Sequence, residues 1–144
     1  MRMAFKTITF MCLLIIGQTG TAQTVNLRVT VNNLKEVSGV VFVSLFSDEK
    51  SFPIDGKEFR KLPVRVSALS ASCIINDLPF GEYAVAVFHD QNADGICNLG
   101  LFGVPKEGFG FSNNFKPKWK APDFKDCRIE LLEDKALTIE LIFR

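Results

Sequence analysis

Asp90, Asn92 and Asp94 alternate along one short stretch and are followed by Gly95, Ile96, Cys97 and Asn98. Oxygen donors at every second position of a tight turn converge on one point, and Ca²⁺ takes roughly six to eight oxygens at flexible distances. Asp90, Asn92, Asp94, the carbonyl of Ile96 and Asn98 match the first, third, fifth, seventh and ninth ligand positions of a calcium loop, with Gly95 at the sharp sixth. The twelfth position, which carries a bidentate Glu in such loops, is Leu101, and the eighth is Cys97 in place of a β-branched residue. The missing carboxylate must come from another segment. If the strands run alternately up and down, this loop shares its end of the fold with the 32–38 turn. Glu107 and Glu36 are then within reach, and Asp48 is not. The same residues also make an Asx-rich turn that its own backbone amides can satisfy without metal. Both readings remain open on the sequence.

Other reactive side chains are few. His89 is the only histidine, and pairing it with Cys97 would give a nucleophile and a base with no third group to orient them. No other nucleophile–base pattern appears, so the chain is not expected to be an enzyme.

The elements that position these residues show a period of two. Val25, Leu27, Val29 and Val31 alternate with polar residues, as do Leu62 to Ala68, Cys127 to Leu131 and Leu137 to Phe143. Val40 to Phe46 and Tyr83 to His89 are apolar on both faces, and Ala71 to Asn76 is a short strand closed by Leu78-Pro79-Phe80-Gly81. Seven such strands predict an all-β, seven-stranded antiparallel sandwich. The two strands with two apolar faces need an outer cover. Phe102, Phe109, Phe111, Phe115, Trp119 and Phe124 lie in one long loop spaced by Gly and Pro. Packing that loop over the outer face of the sheet holding strands 40–46 and 82–89 satisfies both. The alternative is an aromatic platform that binds a carbohydrate or a peptide. The charged 47–60 loop is assigned no chemistry.

The N-terminus reads as an export signal. Arg2 and Lys6 precede an apolar run from Ile8 to Ile16, and Gly20-Thr21-Ala22 suits cleavage before Gln23. The run is shorter than the roughly 20 residues that span a bilayer, and no second one follows. Residues 1–22 are thus expected to be a signal peptide and 23–144 one domain, placed in the periplasm or secreted. Without Arg2 and Lys6 the 17 basic residues fall to 15, against 16 acidic ones. That balance argues against a nucleic-acid partner, which needs clustered positive charge. The mature chain keeps Cys73, Cys97 and Cys127. Cys73 and Cys127 both alternate with core residues and are read as buried free thiols, with a disulfide between them as the alternative.

The run Leu78-Pro79-Phe80-Gly81-Glu82-Tyr83 through His89-Asp90, then Asn92, Asp94-Gly95 and Phe102-Gly103-Val104-Pro105-Lys106-Glu107-Gly108-Phe109-Gly110-Phe111-Ser112-Asn113-Asn114, carries a resemblance. It resembles the exported bacterial family catalogued as domain of unknown function 2141, from about Leu27 to Phe143. That resemblance implies a small envelope or secreted protein and brings no catalytic residue. More distantly, Leu-Pro-x-Gly-x-Tyr before an Asp/Asn turn is similar to immunoglobulin- and prealbumin-like sandwiches, including carboxypeptidase regulatory-type domains and adhesin repeats. Some of the latter hold calcium in a comparable turn. The expectation is a non-catalytic accessory or binding module, monomeric, stabilised by Ca²⁺ at Asp90–Asn98, whose partner is an unidentified ligand or envelope protein. The alternative is a carbohydrate- or peptide-binding module.

Overall fold

The computed structural model describes residues 23–144. The expected signal peptide at 1–22 lies outside the described residues. Eight strands follow in order: β1 Thr24–Asn32, β2 Val40–Phe46, β3 Arg60–Arg65, β4 Ala71–Pro79, β5 Gly81–Asp90, β6 Phe109–Phe111, β7 Arg128–Leu131 and β8 Lys135–Glu140. The only α-helical turn among the described residues, α1, is Phe124–Cys127. None of their helices is long and apolar enough to cross a membrane.

The strands form two sheets, one ordered β4-β1-β8 and the other β3-β2-β5-β6, with β7 also pairing β5. Two expectations are corrected. There are eight strands, because Phe109–Phe111 pairs with Ala86–Phe88 inside the loop expected to be strandless. The sheets are also not purely antiparallel, since β8 pairs parallel to β1 from Leu27↔Lys135 to Asn32↔Glu140. The cause is directional. β7 runs antiparallel to β5, and the chain reverses over residues 132–134, so β8 runs in the same sense as β1 when it docks on that strand's free edge.

Alternation fills the space between the sheets. Val25, Leu27, Val29 and Val31 of β1 meet Val41, Val43 and Leu45 of β2 and Val85 and Val87 of β5 in one cluster, joined by Ile75, Leu131 and Ile139. Each such side chain taken from water contributes roughly 1.5–3 kcal/mol before the cost of chain entropy.

A second cluster lies on the other side of the five-stranded sheet. Phe46, Phe52, Ala84 and Cys127 are buried there, with Phe111, Phe115 and Phe124 packed against them. The aromatic loop therefore does cover the outer face of β2 and β5, with two corrections. Trp119 takes no part and is 98 % exposed. The centre of the cap is instead Phe52 from the 47–60 loop, edge-on to Phe46, Phe111 and Phe124. Cys127 also turns to this outer cluster instead of following Ile129 and Leu131 inward, because it closes α1 before β7 begins. It lies on the opposite side of the sheet from the core that Cys73 packs against, and the three cysteines among the described residues are free thiols.

β6 and β7 share one edge of β5, and Ser112 fills the break between them. Its buried hydroxyl accepts the Val85 N–H at 2.9 Å and donates to the Cys127 carbonyl. A backbone donor that neither short strand reaches is thereby satisfied.

Candidate functional site

The end of β5 delivers the acidic turn. His89 is fully buried, and its Nε2 donates to the Ser38 carbonyl at 2.7 Å, which leaves Nδ1 without a partner. A carbonyl partner requires the proton on Nε2. The imidazole is thus tied to the 33–39 turn, while Cys97 lines a groove on the sheet's outer face, and the two do not form a catalytic pair. The same turn presses on Asp90. Gly39 has φ +69°, and a Cβ there would run into the Asp90 carbonyl oxygen.

Asp90 is buried, and its carboxylate accepts the amides of Asp94 at 3.2 Å and Gly95 at 2.7 Å. Asp94 accepts the Ile96 amide at 2.8 Å and the side-chain amides of Asn92 at 2.8 Å and Asn98 at 3.0 Å. The Asn98 side chain, followed by the Ile96 amide and Asn92, holds the Asp94 carboxyl below its usual range. The Ile96 carbonyl accepts Asn98 Nδ2 at 3.4 Å. Asp90, Asn92, Asp94, Ile96 and Asn98 are therefore brought into one hydrogen-bonded turn. Glu107, 7 % exposed, joins them by accepting Gln91 N at 3.0 Å and Asn98 N at 3.4 Å. Glu36 instead receives the Ser38 hydroxyl.

The fit to a cation is mixed in detail. The donors are hard oxygens, as Ca²⁺ requires. Each Asp90, Asp94 and Glu107 oxygen already accepts an N–H, and a carboxylate oxygen has lone pairs for a second partner. Among the described residues, no three His, Cys, Asp or Glu side chains are grouped to hold a metal ion. A cation here would rely on Asn92, Asn98 and the Ile96 carbonyl as well as on the carboxylates.

The loop that follows folds back over the sheet and makes one wall of a cavity of about 430 Å³. The floor is Ser44 and Ala86, a directly opposed pair on β2 and β5. Larger pairs flank this dip. Phe42 stacks on Phe88 at 5.1 Å on one side, and Phe46 meets Phe52 at 5.3 Å on the other. Ile96, Cys97, Leu99, Val104 and Pro105 form one wall, and Pro53, Asp55 and Glu58 of the 47–60 loop form a second. Pro117, Trp119, Lys120 and Arg144 form the third. The cavity is thus mostly apolar with a few polar groups.

Those polar groups have distinct states. Burial, then the Glu107 and Asp55 carboxylates, push the Cys97 thiol up to about 11. It is neutral at physiological pH and is not an activated nucleophile. Lys61 pairs with Asp55, and its hydrogen bond holds that carboxyl low. The Glu58 side chain is 7 % exposed and stands 3.6 Å from the Lys61 ammonium, too far for a direct hydrogen bond. Ser44 is 6 % exposed, and its hydroxyl has no hydrogen-bond partner among the described residues.

Sequence reasoning missed the 47–60 side of this groove. One signal was present: Ser44 interrupts an otherwise apolar strand, and a polar side chain on a strand buried on both faces needs a partner.

No curated protein and no solved structure matches the chain. One family model does, over residues 29–140, a span that includes both the Asp90–Asn98 turn and the groove wall from Ile96 to Pro105. The chain belongs to the bacterial family described as "Uncharacterized protein conserved in bacteria", domain of unknown function 2141.

Proposed function

We propose that the mature chain is an exported, non-catalytic binding module, a two-sheet sandwich whose groove takes a small, mostly apolar ligand. The observation that carries this reading is the cavity of about 430 Å³ between three loops, bordered by a Trp119 side chain that packs on nothing. Small-molecule sites occupy roughly 300–1,000 Å³ and combine apolar walls with a few polar groups. The neutral Cys97 and the distant, engaged His89 fit binding better than catalysis.

Trp119 is the only tryptophan, so emission reports the groove directly. Titration with 4-phenylbutanol is expected to shift that emission to the blue and shield it from iodide. Ala86→Leu, which fills the floor, should abolish the response and leave the melting temperature in place. An emission spectrum indifferent to the alcohol removes the groove reading. A carbohydrate or peptide is the alternative ligand class, and it gains if oligosaccharides or peptides move Trp119 where phenylbutanol does not.

A second reading is favoured by Asp90 and Glu107, two buried carboxylates with no cationic side chain in contact, balanced by backbone amides alone. Buried charge so placed gains from a bound cation. Ca²⁺ would be held by Asp90, Asn92, Asp94, the Ile96 carbonyl and Asn98, and would fix the wall that Ile96 and Cys97 supply. Affinity in such weakly charged extracellular loops is about 10⁻⁴–10⁻³ M. Ca²⁺ at 10 mM, about tenfold over the weaker limit, should raise the melting temperature by roughly 3–6 °C. Asp90→Ala with Asp94→Ala should abolish that rise, and no rise in the unmutated protein removes the metal.

A further inference from the structure

The polar groups of the groove are not evenly matched. Asp55 and Glu58 stand on one wall with Lys61 beside them, and Lys61 gives its direct hydrogen bond to Asp55. Glu58, more than nine-tenths buried, is left with a 3.6 Å ion pair. Lys61 is the cross-strand neighbour of Ser44, so these groups meet at the floor, where the Ser44 hydroxyl also lacks a partner. Two acceptors therefore face the cavity at the floor, where Asp55, Glu58 and Lys61 together carry one carboxylate more than cation. On the far wall the Lys120 charge is already paired, and Arg144 is turned to a backbone carbonyl. Lys120 holds both oxygens of Asp123 at 2.9 and 3.2 Å, and Arg144 donates to the Lys118 carbonyl at 3.2 Å.

Resting on the groove reading above, we propose that the groove recognises a protonated amine on a hydrophobic body, with Glu58 and Ser44 receiving the ammonium and the body lying over Ala86. An ammonium supplies the N–H donors that both groups lack and the charge that Glu58 is owed. The aromatic faces beside the floor accept cations, as the Lys61 ammonium 5.2 Å from the Phe42 ring and 5.8 Å from Phe88 demonstrates. A carboxylate ligand would meet Glu58 as a like charge.

Three probes of one shape separate the possibilities: 4-phenylbutylamine, 4-phenylbutanol and 4-phenylbutyrate, titrated into the mature protein at neutral pH by calorimetry and Trp119 emission. The amine is expected to bind roughly tenfold tighter than the alcohol, the scale of a charge-assisted hydrogen bond, and the carboxylate weakest. Glu58→Gln should bring the amine to within about twofold of the alcohol while alcohol binding stays unchanged, which shows the groove intact. Ser44→Ala should weaken the amine more than the alcohol. An amine no tighter than the alcohol, or an unchanged preference in Glu58→Gln, overturns the amine proposal and leaves the groove standing. Tightest binding of the carboxylate also overturns it and assigns recognition to Lys120 and Arg144. Binding of none of the three overturns the groove reading with it.

Discussion

Asp94 shows how one side chain organises the turn. It accepts three hydrogen bonds, from Ile96, Asn92 and Asn98, and these hold its carboxyl below the ordinary value of 3.8. A carboxyl with a lowered folded pKa stabilises the fold above its unfolded pKa, and that stability is lost as the pH falls through the folded value. The stabilisation from Asp94 is therefore complete above about pH 4 and fades below it. Asp94→Asn should melt lower than the unmutated protein at pH 7, with the gap closing as the pH is taken toward 2. A gap that stays constant across that range would show that Asp94 does not supply the linkage. Asp48 and Asp123, also held low, keep some acid sensitivity in both proteins. The five residues of the turn were readable because their spacing is local. Of the two carboxylates named as within reach, Glu107 joins the turn and Glu36 does not. Glu58, Lys61 and Ser44 were not readable, because their meeting depends on the register Ser44↔Lys61 between β2 and β3, which no local pattern states.

At the scale of elements, period-two alternation located seven strands and missed the eighth for a physical reason. Phe109-Gly110-Phe111 has a glycine at its centre, which weakens any strand on its own. Here the glycine is what lets the strand form. A Cβ on Gly110 would stand 2.6 Å from Ile139 Cγ2 and 3.2 Å from the Glu140 carbonyl, so only a residue without a side chain lets β6 pair with β5 so close to β8. The parallel β1–β8 pairing was hidden similarly, because sheet order is set by which edge remains free. β6 and β7 together serve as one broken edge strand, and the Ser112 hydroxyl replaces the backbone bond lost at the break. The break frees residues 112–127 to leave the sheet and return as cap and groove wall, so the irregular edge and the candidate site have one cause.

The molecule as a whole has three layers: the three-stranded sheet, the five-stranded sheet and an aromatic cap. Strands β2 and β5 are buried on both faces, which a two-layer fold with one wet side does not allow. The cap therefore belongs to the folding unit. Phe52 is 6 % exposed at its centre and touches three other rings edge-on. Removing it leaves a void against Phe46, Phe111 and Phe124, and deletion of a buried aromatic side chain costs about 3–5 kcal/mol. Phe52→Ala should lose stability on that scale in urea, in one transition with an unchanged slope, because the cap and the inter-sheet core share β2 and β5 and unfold together. Trp119→Ala should stay within about 0.5 kcal/mol, since the side chain stands in water. A near-neutral Phe52→Ala, or a separate low-urea transition, would mean that the cap is a removable cover. The groove would then be free to open without unfolding the sheets, and Trp119 emission would report that opening at urea concentrations where the far-ultraviolet signal of the strands is still intact.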